Sequence, residues 1–425
     1  MNSCFHRGGV LTVAVLLWWC APAGRAGEPP PRITLAQAQT EASARSPVLQ
    51  AQRAVVEQAR ARVVTAKTYP HDPVLTFEGA QRKGPLETDF DHEVRVAQVV
   101  QIGGQRGRQT RHASAELEAA ASVFQREERL LAARVAAAFV EALRARELLE
   151  VEQANTELSR SLSEVARKRF EAGAAPQMEV NLAHVQLGRA ERDLRLTAGA
   201  YRIARAELAE VVGLDPASPP EPLGELDLPP RRRIALPEVI DGALRHRMDL
   251  QALRTSIEAN RARIEVARRQ VVPDLAFEAF YGREEGTDRL IGGGIGIRIP
   301  LFDRNRGPIA EARSAERQAV AETQAATLQV RREVATARAR YQASSQAAGD
   351  LERQVLGTLE DNLRLLQRSF EAGKTSWTEV LVFRREFVNV QRDYVETIAD
   401  ARLAAIELDL AAGIDRTSSS KESQP

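Results

Sequence analysis

The sequence predicts a mainly α fold with four β-strands per chain, built as one unit written twice. Three observations carry that expectation. A motif returns 200 positions later, helical stretches run far beyond globular length, and four short runs alternate apolar with polar residues.

The repeat comes first. Phe170-Glu171-Ala172-Gly173 recurs as Phe370-Glu371-Ala372-Gly373. In the same register Glu179-Val180 matches Glu379-Val380, Arg192-Asp193 matches Arg392-Asp393, and Arg106-Gly107 matches Arg306-Gly307. Phe77-Glu78 likewise returns as Phe277-Glu278. So many matches in one register mean an internal duplication. The expected organisation is a signal peptide over 1–26, a first structural repeat over 27–215, a Pro-rich connector over 216–236, a second repeat over 237–413 and a disordered tail over 414–425. Each repeat reads helix, β-hairpin, long helix, tip, helix.

At the N-terminus, Arg7 precedes an apolar run over 10–19, with small residues over 21–27 to suit cleavage. The run is about half the ~20 residues that a spanning helix needs, so it reads as an export signal rather than an anchor. Cys20 invites lipid attachment, but Trp18 and Trp19 stand where small residues are expected. Cys4 and Cys20 are the only cysteines, so the exported chain has no disulfide and no thiolate ligand. No later stretch is apolar enough to cross a bilayer as a helix, which leaves any membrane role to strands.

The first helix of each repeat, over 35–68 and 236–269, is rich in Ala, Arg, Glu and Gln, all strong helix formers. Four runs then change to a period of two. Ile291, Gly293, Ile295, Ile297, Ile299 and Leu301 fall on one face of the clearest run, opposite Gly292, Gly294, Gly296, Arg298 and Pro300. Val94, Val96, Val100 and Ile102 oppose Glu93, Arg95 and Gln101. Leu75 and Phe77 oppose Thr76 and Glu78, and Leu275 and Phe277 oppose Glu278. Polar links over 82–85 and 282–286 join the runs into two hairpins. Their length suits tilted transmembrane strands. Four strands cannot close a membrane barrel alone, because single-chain barrels start at eight, so a barrel would have to be shared between chains.

Helices are expected to run unbroken over 108–169 and 308–369, each ~90 Å at 1.5 Å per residue. After each tip, heptads return. Val180, Leu187, Leu194, Tyr201 and Leu208 form a large seam, and Ala183, Ala190, Thr197, Ala204 and Val211 a small one. The second repeat offers Val380, Phe387, Tyr394, Ala401 and Leu408 beside Phe383, Val390, Thr397, Ala404 and Ala411. Such paired seams suit coiled-coil packing.

A net charge of +1 gives no reason to expect nucleic acid as a partner. No catalytic constellation is present, and the chain is not expected to be an enzyme. The histidines of the exported part are scattered without metal-ligand spacing, so neither a metal site nor a cofactor is expected.

Together these features resemble the TolC-type outer-membrane efflux family over essentially the whole exported chain. Within that family the chain resembles the CzcC/CusC-like heavy-metal branch, on the strand-to-helix junction Pro300-Leu301-Phe302-Asp303-Arg304-Asn305-Arg306-Gly307 and its counterpart Gln101-Ile102-Gly103-Gly104-Gln105-Arg106-Gly107. The resemblance implies a duplicated β-barrel with a long coiled-coil helical tunnel, closed as a homotrimer in outer-membrane lipid and reaching into the periplasm. It implies partners too: a periplasmic membrane-fusion adaptor and an inner-membrane resistance-nodulation-division pump. Phe170 to Val180 and Phe370 to Val380 match the family's tip pattern, with Gly173 and Gly373 as turn glycines and Lys374 and Trp377 beside the second turn for adaptor contact. The family's gate acid falls on Glu379, with Glu179 as its first-repeat counterpart, and each would form a ring of three in a trimer. The alternative for both is a solvated carboxylate at a helix start. The basic residue that ties the family's closed state falls at Thr375, so that bond is not expected here. A multidrug or type I secretion duct is an alternative reading, and a periplasmic coiled-coil scaffold is an alternative of another class.

Overall fold

A computed structural model describes residues 31–83, 88–230, 235–284, 288–353, 357–372 and 374–414. The expected signal peptide, with Cys4 and Cys20, lies outside the described residues. So do Gly373 and the expected tail beyond Ile414.

The first repeat holds β1 (Arg32–Ile33), α1 (Leu35–Arg45), α2 (Pro47–Lys67), β2 (Val74–Lys83), β3 (Thr88–Val100), α3 (Gln105–Glu171) and α4 (Gln177–Val212). β4 (Glu221–Pro222) lies in the connector. The second holds α5 (Leu236–His246), α6 (Met248–Arg269), β5 (Leu275–Glu284), β6 (Asp288–Ile297), α7 (Arg306–Leu351), α8 (Gly357–Glu371) and α9 (Trp377–Ala412). β1 and β4 make a short parallel pair that ties the connector back to the start of the first repeat.

Three details depart from the sequence expectations. The first helix of each repeat is broken in two. Pro47 disfavours helical backbone at Ser46, whose side chain instead caps α2 by accepting from the Leu49 amide. In the second repeat Arg247 takes an extended conformation while its guanidinium is held by Asp249, Glu333 and the Ala411 carbonyl. The α-helical hydrogen bonding of the second long helix also ends at Leu351 and gives way to a π turn at 352–353; residues 354–356 lie outside the described residues, and α8 begins at Gly357. Gly349, three residues before that π turn, lowers helix propensity by about 1 kcal/mol relative to alanine. α3 has no internal proline and only Gly107, in its first turn, and runs 67 residues, or ~100 Å. Finally, the last strand ends at Ile297, so Ile299 and Leu301 lie beyond it, next to Pro300.

The four long strands form one antiparallel sheet in the order β2-β3-β5-β6, leaving β2 and β6 as open edges. Register settles its faces, because residues opposite each other in neighbouring strands point the same way. Phe77, Val94, Tyr281 and Ile291 form one rung, and Leu75, Val96, Ala279 and Gly293 the next. With Phe277, Ile295 and Ile297 they make a face of exposed apolar side chains. Thr76, Arg95, Phe280 and Gly292 share a rung of the other face, which also carries Glu78, Glu93 and Glu278. There Arg95 bonds Glu93 at 2.7 Å and Glu278 at 3.1 Å. The glycines of β6 make room for this polar layer. A Cβ on Gly292 would lie 2.4 Å from the Phe280 ring, and one on Gly294 would lie 2.8 Å from the Glu278 carboxylate.

The helices continue the strands in the same lateral order, with α3 packed between α2 and α6, and α6 against α7. Further from the sheet, α3 packs on α4 and α9, while α9 packs on α7 and α8. Each repeat has its own apolar centre. Val135, Phe139, Leu143 and Leu208 anchor the first, and Val330, Val334, Tyr341 and Leu408 the second. All heptad seam residues of α4 and α9 are buried or half-buried.

Candidate functional site

The two tips are built by the same backbone turn. At the first, the Ala172 amide donates to the Lys168 carbonyl at 3.0 Å and the Ala174 amide to the Arg169 carbonyl at 2.8 Å. At the second, Ala372 donates to Arg368 at 3.1 Å and Lys374 to Ser369 at 2.9 Å. Gly173 holds φ at +70° with open space around it, a conformation that side-chain-bearing residues rarely adopt.

Identical motifs then meet different surroundings. Phe370 is 0% exposed while Phe170 is 40% exposed. The Phe370 ring lies 5.4 Å from the Trp377 ring, and the Arg169 guanidinium of the other hairpin sits 4.7 Å above it. Phe370, Trp377 and Val380 form one apolar cluster with Leu162, Ala166 and Ala183, so the second tip is packed into the first hairpin. Val180 is only half-buried and Lys374 is exposed.

The two acids differ as well. Glu379 is exposed and closes a capping box at the start of α9: its carboxylate accepts from the Ser376 amide at 2.9 Å, and its amide donates to the Ser376 hydroxyl at 3.3 Å. At the first tip, Pro176 holds the cap position without a side-chain bond. Glu179 there is half-buried, and one of its carboxylate oxygens has no hydrogen-bond partner.

At the strand-to-helix junctions, Asp303 accepts from the Asn305 amide at 2.8 Å just before α7 begins at Arg306. Arg304, Arg306, Gly307, Arg106 and Gly107 are exposed. Their neighbours hold the corner. Asn305, in left-handed backbone, donates to the Ala267 carbonyl at 2.6 Å, and buried Gln105 donates to Val272 and Asp274.

One cluster was missed by the sequence reading. Above the tips, α9 meets α3 through buried polar side chains. Glu152 is 1% exposed, Arg384 8% exposed, and Asn155, Thr156 and Ser159 are buried with them. Arg392 Nε donates to Glu152 Oε1 at 2.6 Å, and Arg384 donates twice to Asn155 Oδ1, at 2.6 and 3.1 Å. Asn155 in turn donates to Glu152 at 3.1 Å. Burial pushes the Arg384 pKa down, and the Glu152 charge opposes that shift. The repeated Arg192 and Arg392 were a usable signal, but their partner is distant in sequence.

Among the described residues, no helix is long and apolar enough to cross a membrane. The chain nonetheless has an apolar sheet face, two open edges and a long helical body.

Comparison with known proteins places this architecture. The family model described as outer membrane efflux protein matches residues 39–214 and again 239–414. The chain is 28% identical to protein CyaE of Bordetella pertussis, over 96% of this chain and 90% of that protein. It is 23% identical to the cobalt-zinc-cadmium resistance protein CzcC of Cupriavidus metallidurans, over 83% of each. Its fold is similar to that of the outer membrane protein VceC of Vibrio cholerae, with a TM-score of 0.72 at 22% identity, over 90% of this chain and 97% of that one. Members of the matched family are trimeric outer-membrane channels that reach into the periplasm and work with an adaptor and an inner-membrane pump. They are passive conduits, not enzymes. With one match in each of its two repeats, this chain belongs to the outer membrane efflux protein family.

Proposed function

We propose that the chain is the exit duct of a heavy-metal efflux system, draining an inner-membrane resistance-nodulation-division pump through a periplasmic membrane-fusion adaptor. The observation that carries the metal cargo is the similarity to CzcC over 83% of both chains. The junction over 300–307 supports the same branch. The cargo would be a heavy-metal cation such as cobalt, zinc, cadmium, copper or silver moving passively, with the pump making the choice. In a trimer Glu379 and Glu179 would each become a ring of three carboxylates, which attracts cations and narrows an aperture. Phe170, Gly173, Val180, Lys374 and the second turn at Gly373 would meet the adaptor at the tips. Phe370, Trp377 and Val380 would support that contact from within, since they are buried. Residues 1–26 would serve as the export signal, and 27–215 and 237–413 as the two repeats about the 216–236 connector.

The test is a deletion strain plated on cobalt, zinc, cadmium, copper and silver salts and on a drug panel. Raised sensitivity to one or more metals, restored by the gene, is the expected result. Unchanged metal tolerance with raised drug sensitivity would sink the metal cargo and leave the duct. A second reading, a multidrug or type I secretion duct, is favoured on its drug side by the similarity to the fusaric acid resistance protein FusA of Burkholderia cepacia, 30% identical over 37% of this chain and 27% of that protein.

A further inference from the structure

Within the chain the second repeat meets the first through β5 on β3 and along α3, where α6 lies nearer the sheet and the return helix α9 further out. A trimer of duplicated chains is a ring of six such repeats, so a reciprocal seam must exist. There the long helix of a second repeat, α7 and α8, meets the return helix α4 of a first repeat in the adjoining copy. The α4 surface is uncovered in the lone chain. On α9, Arg384, Val388 and Val395 are buried, whereas their counterparts on α4, His184, Gly188 and Arg195, are exposed. Exposed Leu182, Val185 and Leu196 extend the same side of α4.

The bonded pair at the inner seam is itself duplicated. Arg392 answers to Arg192, and Glu152 answers to Glu352, at the same 200-residue offset as the tips. In the lone chain neither counterpart reaches the other repeat. Arg192 is exposed and, among the described residues, bonds its neighbour Asp193, at 2.9 Å. Glu352 is exposed at the end of α7, beside the Tyr394 hydroxyl, which burial and then the Glu352 charge push upward in pKa.

We propose that Arg192 of one copy pairs with Glu352 of the next, repeating between subunits the bond that Arg392 and Glu152 make within each chain. The six repeats are then linked by alternating internal and intersubunit pairs at one level of the tunnel wall. The neighbouring residues are not copied. Asn155 and Arg384 have no equivalents of the same type, so the intersubunit pair lacks the second guanidinium and its amide. It is the simpler and more exposed of the two.

Cys4 and Cys20 are the chain's only native thiols, which leaves a clean background for cross-linking. Chains carrying Arg192→Cys are co-expressed with chains carrying Glu352→Cys and treated with a short bifunctional thiol reagent. The Glu152→Cys/Arg392→Cys chain is the positive control for reach. The expected result is a covalent two-chain product that requires both variants. Trimers of native mass that give no such product, while the control reacts, would overturn the pairing. A charge exchange provides a second readout. Arg192→Glu and Glu352→Arg should each lower the dissociation temperature of the detergent-solubilised trimer, and the double exchange should restore most of the loss. A double variant as labile as the sum of the singles would also overturn it.

Discussion

Replacing Arg392 with alanine strands the Glu152 carboxylate, which is 1% exposed, with the Asn155 amide as its remaining side-chain donor. Removing one partner of a buried ion pair costs about 3–5 kcal/mol. The Arg392 side chain is 37% exposed, so solvent already screens part of the bond and the expected loss is nearer ~2 kcal/mol. Glu152→Gln keeps the volume but removes the one carboxylate that serves two guanidinia. Arg384, 8% exposed, then keeps only the Asn155 oxygen, so this substitution should cost more than Arg392→Ala, ~3 kcal/mol. Arg167→Ala is the control, because the Arg167–Glu171 bridge is 58% and 57% exposed and should be worth at most ~0.5 kcal/mol. The measurement is loss of the helical circular-dichroism signal in urea, on detergent-solubilised trimer at fixed protein concentration. If both seam variants fall within ~0.5 kcal/mol of the control, or if Arg392→Ala is the costlier, the reasoning from burial fails.

Two further outcomes are expected. Glu379→Ala should weaken divalent-cation block of reconstituted channels and also lose the cap of α9. Ser376→Ala should lose only the cap, worth about 1 kcal/mol, and leave the block intact; equal effects on block would reduce Glu379 to a capping residue. Burial pushes Asp249 upward, but the bond and charge of Arg247 more than offset this and hold it below the ordinary aspartate value. That depressed value contributes stability above the usual aspartate range, and the contribution is lost as pH falls through the folded-state value. Asp249→Asn should therefore flatten the acid limb of the stability curve, and an unchanged limb would contradict the assignment.

The duplication, the four strands and the heptad seams were legible in the sequence because each has a short period that can be counted. The alternation from Leu75 to Glu78 and from Ile291 to Ile297 fixed which face of the sheet is apolar. Breaks were harder. Pro47 marked one, yet Arg247 breaks its helix through partners at Asp249, Glu333 and Ala411, which no local pattern announces. The tips show the limit most sharply. FEAG reads the same twice, but whether its phenylalanine is buried depends on the opposing hairpin, through Arg169, Leu162 and Ala166. Arg384 and Glu152 were invisible for the same reason: on a helix a lone arginine reads as solvated until its partner Asn155, 229 residues away, is placed beside it.

The open edges of the sheet have a consequence for how the protein is made. β2 and β6 each present a row of amides and carbonyls that hydrocarbon cannot satisfy. A single chain therefore has no stable place in the bilayer, and insertion must be coupled to meeting two others. Biogenesis becomes steeply dependent on chain concentration. It also makes the assembly vulnerable to mixed expression. A chain altered at β2 or β6 would enter most rings formed from a mixed pool, so a minority of faulty copies would silence a majority of sound ones.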